Sequence, residues 1–306
     1  MAASAPAVRP ALPVVLWQSV RPMSLTVALL SAMVGTFALL PSDQERLGVA
    51  ALCALLAVLL QAATNVLNDA EDALTGADIP GTMGASLAMR QRWITPQQAR
   101  LIAAGCFIAA AITGIALVLW VQKPGLLWIG AAAVFVGWAY TAPPLRLAYR
   151  PLGELASGIP MGIGIVWGTA AAQAQHVPAA VWWAGIPMAL LTAAILHANN
   201  GRDRLHDKLV GKRTLATYLS PRGVVLEFRA LLIALPVVIV AGLITRGLPL
   251  WCALALIPGA IAVRRALQAD EQLDARGWTL LLIGSVRLHS LTGVTLCAGF
   301  LLSLAG

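Results

Sequence analysis

The sequence predicts an all-α membrane protein in which about nine transmembrane helices surround a central cavity that opens near the cytoplasmic side. Three observations lead to this fold class. Hydrophobic residues make up 59% of the 306 residues, charged residues only 11%, and the mean hydropathy is +0.81. A soluble domain usually carries about a quarter charged residues. Long runs without any charge also recur along the chain, and polar residues collect between them.

The charge-free runs define the predicted helices in chain order. A bilayer core needs roughly 20 apolar residues per helix, and each of the first four runs has about that length. A fifth run is long enough for two helices, and three weaker apolar segments follow it. The predicted spans are 24–42, 47–68, 101–122, 124–145, two within 155–201, 223–245, 247–263 and 283–305.

Basic residues predict the orientation. Of the 21 lysines and arginines, seventeen fall in one set of alternate loops that begins with the N-terminal tail. Only Arg46, Lys123 and Arg246 fall in the other set, and Arg229 lies within a predicted helix. Basic loops stay in the cytoplasm, so we expect a multi-pass protein of the cell membrane with tail 1–22 cytoplasmic. The net charge of +8 therefore reports topology rather than nucleic-acid binding, and 1–306 forms a single intramembrane domain.

Two acidic clusters stand out against this apolar background. The first, "NVLNDAEDALTGAD" (65–78), directly follows the second predicted span. Residues three and four apart share a helix face, so Asn65, Asn68 and Asp72 form one stripe, with Asp69 beside it. Asp78 ends the cluster.

The second cluster, "NNGRDRLHDKLVGKRTLA" (199–216), follows the sixth predicted span. Its Asn199, Asp203 and Asp207 are spaced four residues apart and also share one helix face. Solvated acids that merely end two helices are the plain alternative. The helical spacing, the common side of the membrane and the nearby Lys208 and Lys212 favour a shared site.

Carboxylates and asparagine oxygens are hard ligands suited to Mg²⁺, which commonly binds through one or two protein carboxylates, substrate phosphates and water. We therefore predict a diphosphate site with two Mg²⁺ ions, for which Mn²⁺ can substitute. Departure of the diphosphate from an allylic prenyl chain would leave a carbocation, which an apolar cavity would protect from water. Tyr140, at the cytoplasmic end of the fourth span, either faces that cavity or anchors the helix at the interface.

With both clusters considered, the sequence resembles the UbiA superfamily of intramembrane aromatic prenyltransferases over nearly its whole length. The family's first motif corresponds to "NDAED", and its NxxxDxxxD motif fits the second cluster fully. The form "NxxNDxxDxxxGxD" and the segments "GKRTLA" (211–216) and "SVRLHSLTG" (285–293) look like the branch of 1,4-dihydroxy-2-naphthoate prenyltransferases of menaquinone synthesis. The resemblance implies catalysis by Asp69, Asp72, Asp203 and Asp207, with metal binding by these four and Asp78. It implies diphosphate contacts from Asn65, Asn68, Asn199, Arg202, Lys208, Lys212, Arg146 and Tyr140.

The chain departs from the family in the loop "YTAPPLRLAYRPLGE" (140–154). Many members carry a lysine there that contacts the diphosphate, and the corresponding position is Ala148. Arg146 and Arg150 are the candidate substitutes. His197 and His206 flank the second cluster, but Mg²⁺ prefers oxygen ligands.

The expected reaction is transfer of a polyprenyl group from its diphosphate to an aromatic ring, with 1,4-dihydroxy-2-naphthoate as the expected acceptor. A UbiA-type enzyme with a 4-hydroxybenzoate, homogentisate, porphyrin or lipid acceptor is the alternative. A cation or organic-anion transporter is less favoured, because transporter sites lie near the membrane midplane and these acids lie at helix ends. A soluble terpene synthase would lack the apolar spans.

Overall fold

A computed structural model describes residues 9–42, 44–77 and 84–305. All regular structure in these residues is helical, which confirms the predicted fold class. Three 3₁₀ turns (Leu40–Ser42, Leu147–Tyr149, Leu250–Ala255) and a π-helical segment (Ile159–Gly164) connect the α-helices. The α-helices are α1 (Leu12–Ser19), α2 (Pro22–Phe37), α3 (Leu47–Thr75), α4 (Leu87–Arg90), α5 (Pro96–Val121), α6 (Leu126–Ala139), α7 (Gly153–Gly158), α8 (Ile165–Gln173), α9 (Ala179–Leu209), α10 (Leu215–Tyr218), α11 (Pro221–Ile244), α12 (Leu256–Gln268) and α13 (Ala275–Leu302).

Eight helical segments among the described residues are long and apolar enough to cross a membrane. They are Pro22–Ser42, Leu47–Thr75, Pro96–Val121, Gly153–Gln173, Ala179–Leu209, Pro221–Ile244, Leu250–Gln268 and Ala275–Leu302. The fourth predicted span corresponds to α6, whose 14 residues are shorter than a bilayer core requires. The described chain is therefore a multi-pass membrane protein, and the count of nine spans stays a prediction.

Helices α3 and α9 are the longest, with 29 and 31 residues. At 1.5 Å per residue, 29 residues extend about 43 Å, whereas a hydrocarbon core is about 30 Å thick. Both helices are thus longer than a crossing requires, and their last turns carry Asn68, Asp72, Asp203 and Asp207. These four side chains stand on helix, whereas Lys212 of the second cluster lies in the segment that follows α9.

Local signals begin and end several helices. Thr95 and Gln98 form a capping box at the start of α5. Ser220 and Asp274 cap α11 and α13 by accepting from the backbone N–H three residues on. Gly76, with φ of +76°, ends α3 in the left-handed conformation that glycine adopts without strain.

The main core lies between α2, α8, α9, α11 and α13, where Met188, Leu191, Phe228 and Leu232 are fully buried. The outer surface carries many exposed large apolar side chains, such as Leu101, Ile108, Trp128, Ile244 and Leu280. A surface this apolar is typical of a protein that faces lipid.

Small residues bring α7 and the π-helical segment close to α9. A Cβ added to Gly162 would lie 2.2 Å from the backbone nitrogen of Ala189, and one on Gly158 would lie 2.9 Å from the Ala189 carbonyl oxygen. Such close backbone contact between helices is possible only with small residues. It places the start of α7 beside the part of α9 that carries the second cluster.

Candidate active site

The two acidic clusters meet at one cavity where α3 and α9 end. Residues 68 and 203 are far apart in sequence, and the tertiary fold brings them to the same wall. The described residues that line this cavity are Arg21, Asn68, Asp72, Ala77, Gly84, Tyr140, Ala148, Leu196, Asn199, Asn200, Asp203, Asp207 and Lys212. Residues of both clusters therefore line one cavity.

A wider, more open groove lies at the opposite end of the bundle. Its described lining is mostly apolar, with Arg246 as its charged residue. It presents no carboxylate among the described residues, so it offers neither metal ligands nor acid–base groups. The acidic side chains of the two clusters line the other cavity.

In the first cluster, Asp72 is only 5% exposed and is held from two sides. Asn68 donates from Nδ2 to Asp72 Oδ2 at 3.1 Å, and the Tyr149 hydroxyl donates to Asp72 Oδ1 at 2.5 Å. Thr75 Oγ1 lies 2.7 Å from the same hydroxyl. The carboxylate is thus oriented by groups from α3 and from the 147–149 turn.

In the second cluster, Arg202 makes two bonds to Asp203. Its Nε lies 2.7 Å from Oδ1 and its Nη2 lies 2.6 Å from Oδ2. Nη2 also donates to Asn199 Oδ1 at 2.8 Å. Arg202 therefore balances the charge of Asp203 and orients Asn199, although it does not line the cavity itself.

Lys212 lies between Asp72 of the first cluster and Asp207 of the second. Its Nζ is 3.6 Å from Asp72 Oδ2, 3.9 Å from Asp207 Oδ1 and 5.1 Å from the centre of the Tyr149 ring. The turn that delivers it contains Gly211, with φ of +77°. A single ammonium thus carries positive charge to the place where both sets of carboxylates converge.

Asp69 is not among the described lining residues and pairs with Arg21. Its Oδ2 also accepts from the backbone N–H of Ser86 at 2.9 Å, and it is 1% exposed. Arg21 itself lines the cavity. Asp69, predicted as catalytic and metal-binding, therefore lies where it fixes Arg21 and the chain at Ser86.

Arg21 and Tyr149 are site residues that the sequence analysis missed. Arg21 immediately precedes Pro22, which begins α2, so a positive charge directly before the first predicted span was the available signal. Tyr149 follows Ala148, and nothing in its spacing points to Asp72. Burial and the Asp72 charge raise the pKa of Tyr149 above its usual value of 10.0, so the phenol stays a hydrogen-bond donor.

Arg146 lies beside the cavity rather than in its lining. Its Nη2 is 3.9 Å from Glu71 Oε2, and its guanidinium lies 5.5 Å from the centre of the Tyr149 ring. Arg100 pairs with the same glutamate, with Nη2 at 2.6 Å from Oε1. Ala148, the position where the sequence resemblance led us to expect a lysine, does line the cavity. The lysine that lies close to Asp72 and Asp207 is Lys212.

Several other predicted residues lie apart from the cavity. Asn65 donates from Nδ2 to Val20 O at 3.0 Å and to Ser24 Oγ at 2.6 Å, so it ties α3 to the α1–α2 region. Lys208 is exposed on the last turn of α9. Asp78 lies outside the described residues.

The possible metal ligands at the cavity suit Mg²⁺. Asn68, Asp72, Asp203 and Asp207 present oxygen atoms, and no thiol or imidazole is among the described lining residues. Mg²⁺ prefers oxygen ligands, whereas Zn²⁺ prefers sulfur and nitrogen. The partners of these carboxylates are Tyr149, Arg202 and Lys212, which leave part of the negative charge facing the cavity.

Comparison with known proteins agrees with this geometry. The sequence profile described as the UbiA prenyltransferase family matches residues 28–303. A 1,4-dihydroxy-2-naphthoate octaprenyltransferase of Bacillus subtilis is 30% identical over 238 residues, which cover 76% of this chain and 74% of that protein.

Two solved structures share the fold. The apo structure of a UbiA homologue from Aeropyrum pernix K1 aligns with a TM-score of 0.68 at 21% identity, covering 93% of this chain and 99% of that one. A UbiA homologue from Archaeoglobus fulgidus bound to GPP and Mg²⁺ aligns with a TM-score of 0.66 at 14% identity, covering 95% of this chain and 100% of that one. At these identities the structural likeness concerns the fold alone.

Proposed function

Because the chain belongs to the UbiA prenyltransferase family, we propose that this enzyme moves a polyprenyl group from a prenyl diphosphate to the aromatic ring of 1,4-dihydroxy-2-naphthoate, in quinone biosynthesis. The acceptor follows from the name of the Bacillus subtilis relative and from the form of the first motif. Residues 1–306 act as one domain, with the N-terminus and the cavity on the cytoplasmic side of the cell membrane.

One observation carries the proposal. Asp72 of the first cluster and Asp203 and Asp207 of the second line the same cavity, with Lys212 between them. Solvated acids that only ended two helices would have no reason to converge. Facing carboxylates with a cation between them are suited to a substrate that carries several negative charges.

Asp72, Asp203 and Asp207, with Asn68, would hold Mg²⁺, the ion to which the Archaeoglobus fulgidus homologue is bound together with GPP. Mg²⁺ bound there would neutralise diphosphate charge and so make it a better leaving group. Two ions, for which Mn²⁺ can substitute, would suit the two facing sets of carboxylates.

The protein's own cations complete the charge balance. Lys212 and Arg21 both line the cavity and would bind diphosphate oxygens. The allylic C–O bond breaks and its electron pair leaves with the diphosphate. Tyr149 and Asn68 hold Asp72 in place during this step, and Arg202 holds Asp203.

The electron-rich ring then attacks the allylic carbon. Where the attacked carbon bears the carboxylate, loss of carbon dioxide returns an electron pair to the ring and restores its aromaticity. Leu196 and Tyr140 line the same cavity, and side chains that exclude water would protect such a cation.

The experiment combines purified protein in lipid nanodiscs with labelled prenyl diphosphates of several lengths and a panel of acceptors. The panel contains 1,4-dihydroxy-2-naphthoate, 4-hydroxybenzoate and homogentisate, and the labelled product is extracted into organic solvent. We expect Mg²⁺-dependent label in the naphthoate product. Transfer to a different ring would overturn the acceptor assignment only. Transfer to no ring, with uptake of a divalent cation or organic anion into vesicles instead, would favour transport.

A further inference from the structure

Three ionisable side chains lie behind the cavity wall, outside the machinery described above. Glu154 begins α7, His197 lies on α9, and Glu227 lies on α11. His197 Nδ1 is 3.3 Å from Glu154 Oε1 and 3.5 Å from Glu227 Oε2. His197 is fully buried, and Glu154 is 5% exposed. Burying charged groups is unfavourable unless they are paired and hydrogen-bonded, so this cluster requires a structural or functional reason.

The hydrogen bonds define what the imidazole does. Nε2 lies 2.8 Å from the carbonyl oxygen of Val224, which can only accept, so Nε2 carries hydrogen. Nδ1 faces carboxylate oxygens of Glu154 and Glu227, which accept, so Nδ1 also carries hydrogen and donates it. The Trp278 ring packs edge-on against the imidazole, with 6.3 Å between ring centres. His197 therefore holds Glu154 in one position.

Asn200 connects this cluster to the cavity. It lines the cavity and is 3% exposed. Its Nδ2 donates to Glu154 Oε1 at 2.9 Å. A charged carboxylate can only accept, so the amide must present nitrogen to Glu154. Oδ1 is then directed away from Glu154, and within the described residues no donor bonds to it.

The place of Asn200 on α9 separates it from the stripe of the second cluster. At about 100° per residue, Asn200 lies roughly 60° around the helix from Asp203, and His197 lies roughly 120° around. Leu196, one turn before Asn200, also lines the cavity. Asn200 thus lines the cavity beside the stripe of Asn199, Asp203 and Asp207 and close to Leu196.

The Asn200 Oδ1 atom accepts hydrogen bonds, so its hydrogen-bond partner must be a group that donates. The oxygens of a diphosphate ester only accept, so Oδ1 does not bind them. A hydroxyl group on an aromatic ring can donate, and that ring would pack against Leu196. We propose that Asn200 binds a ring hydroxyl of the aromatic acceptor and that Glu154 and His197 are positioning residues which fix the direction of its amide. This inference rests on the proposed prenyl transfer.

The test compares each acceptor with its monomethyl ethers, in which one hydroxyl cannot donate. The quantity measured is the ratio of kcat/KM for 1,4-dihydroxy-2-naphthoate to kcat/KM for each ether. We expect wild-type protein to discriminate strongly against one ether. In Asn200→Ala that ratio should fall about tenfold or more. A tenfold fall corresponds to about 1.4 kcal/mol, which is the net contribution of one hydrogen bond. The KM for prenyl diphosphate should change by less than about twofold.

Two substitutions at Glu154 separate positioning from general stability. Glu154→Ala removes the acceptor for Nδ2, frees the amide to rotate and should lower the ratio as Asn200→Ala does. Glu154→Gln keeps an oxygen acceptor and should restore much of the ratio. The double variant Asn200→Ala/Glu154→Ala should show no further fall, because both changes remove the same contact. Gln173→Ala, which deletes a buried amide in α8, is the matched control and should leave the ratio unchanged.

Each other outcome has a definite meaning. An unchanged ratio in Asn200→Ala, or no discrimination against either ether by wild-type protein, overturns the inference while prenyl transfer itself stands. A rise in the Mg²⁺ concentration for half-maximal rate, with the ratio unchanged, would make Asn200 a metal ligand and would also overturn it. Failure of wild-type protein to prenylate any hydroxylated ring would instead refute the proposed function. If Asn200→Ala does not fold, the wild-type ratio and the Glu154 pair decide the question.

Discussion

Replacement of Asp72 by asparagine should lower turnover by about 10²-fold to 10³-fold in a protein that remains folded. Asp72 is 5% exposed and lies at the cavity wall with Asp203, Asp207 and Lys212. Asparagine keeps the size of the side chain and an oxygen for Tyr149, but it removes the charge. Deleting one electrostatic contact from an active site typically raises the barrier by about 2.7–4 kcal/mol, which corresponds to that loss of rate.

The same change should affect stability far less. At 3.6 Å from Lys212, and with an effective dielectric constant of about 20, the Asp72 charge contributes roughly 4–5 kcal/mol of attraction. Desolvation of the two buried charges offsets most of this, and Lys212 keeps Asp207 at 3.9 Å. We expect the free energy of unfolding to fall by no more than about 1–2 kcal/mol.

The double variant with Asp203→Asn is a further test of the shared site. Both aspartates would act on one diphosphate, so either loss disables the same unit. The double variant should therefore be about as slow as the slower single variant. Multiplied losses would mean that the two clusters act independently.

The assay is the initial rate of labelled product per mole of protein in nanodiscs, with thermal unfolding measured on the same samples. Glu271→Gln is the matched control, since Glu271 is exposed and its nearest cationic partner is Arg222 at 4.0 Å. Such exposed pairs contribute little, so its rate should stay within about twofold of wild type. Near-normal turnover of folded Asp72→Asn would refute the view that these acids form a diphosphate site.

The remaining predictions concern metal, charge, pH and topology. Excess EDTA should abolish turnover and added Mg²⁺ should restore it; full activity in EDTA would contradict the oxygen-ligand site. Lys212→Met should raise the KM for prenyl diphosphate at least tenfold, and an unchanged KM would remove Lys212 from diphosphate binding. The pKa of Tyr149 is raised on folding, so the contribution of its protonated phenol to stability is lost as pH rises above about 10. Denaturant titration at several pH values should show a smaller loss of unfolding free energy in Tyr149→Phe than in wild type. An equal loss in both proteins would contradict this role of Tyr149. A cysteine introduced at exposed Arg213 should react with an impermeant maleimide only from the cytoplasmic side, and labelling from outside would reverse the orientation.

Local sequence determined the helices and the faces they present. Runs without charge predicted segments that the structure shows as long apolar helices, because a helix needs about 20 apolar residues to cross the hydrocarbon core. The spacing of Asn199, Asp203 and Asp207 placed them on one face, because helical periodicity is fixed by the backbone. Among the described segments, α6 is too short for a bilayer core, although its apolar run predicted a full span.

Tertiary structure decided which side chains meet. Asp69 and Asp72 are three residues apart, yet one pairs with Arg21 from the α1–α2 junction and the other with Tyr149 from the 147–149 turn. Likewise, Asn199 and Asn200 are neighbours, but Asn199 accepts a hydrogen bond from Arg202, whereas Asn200 donates one to Glu154. Arg202 lies on the same helix as Asn199, but Arg21, Tyr149 and Glu154 come from elements far away in the chain. They are selected by how helices pack against one another, through contacts such as that of Gly162 with Ala189, and a periodic pattern within one helix carries no information about that packing.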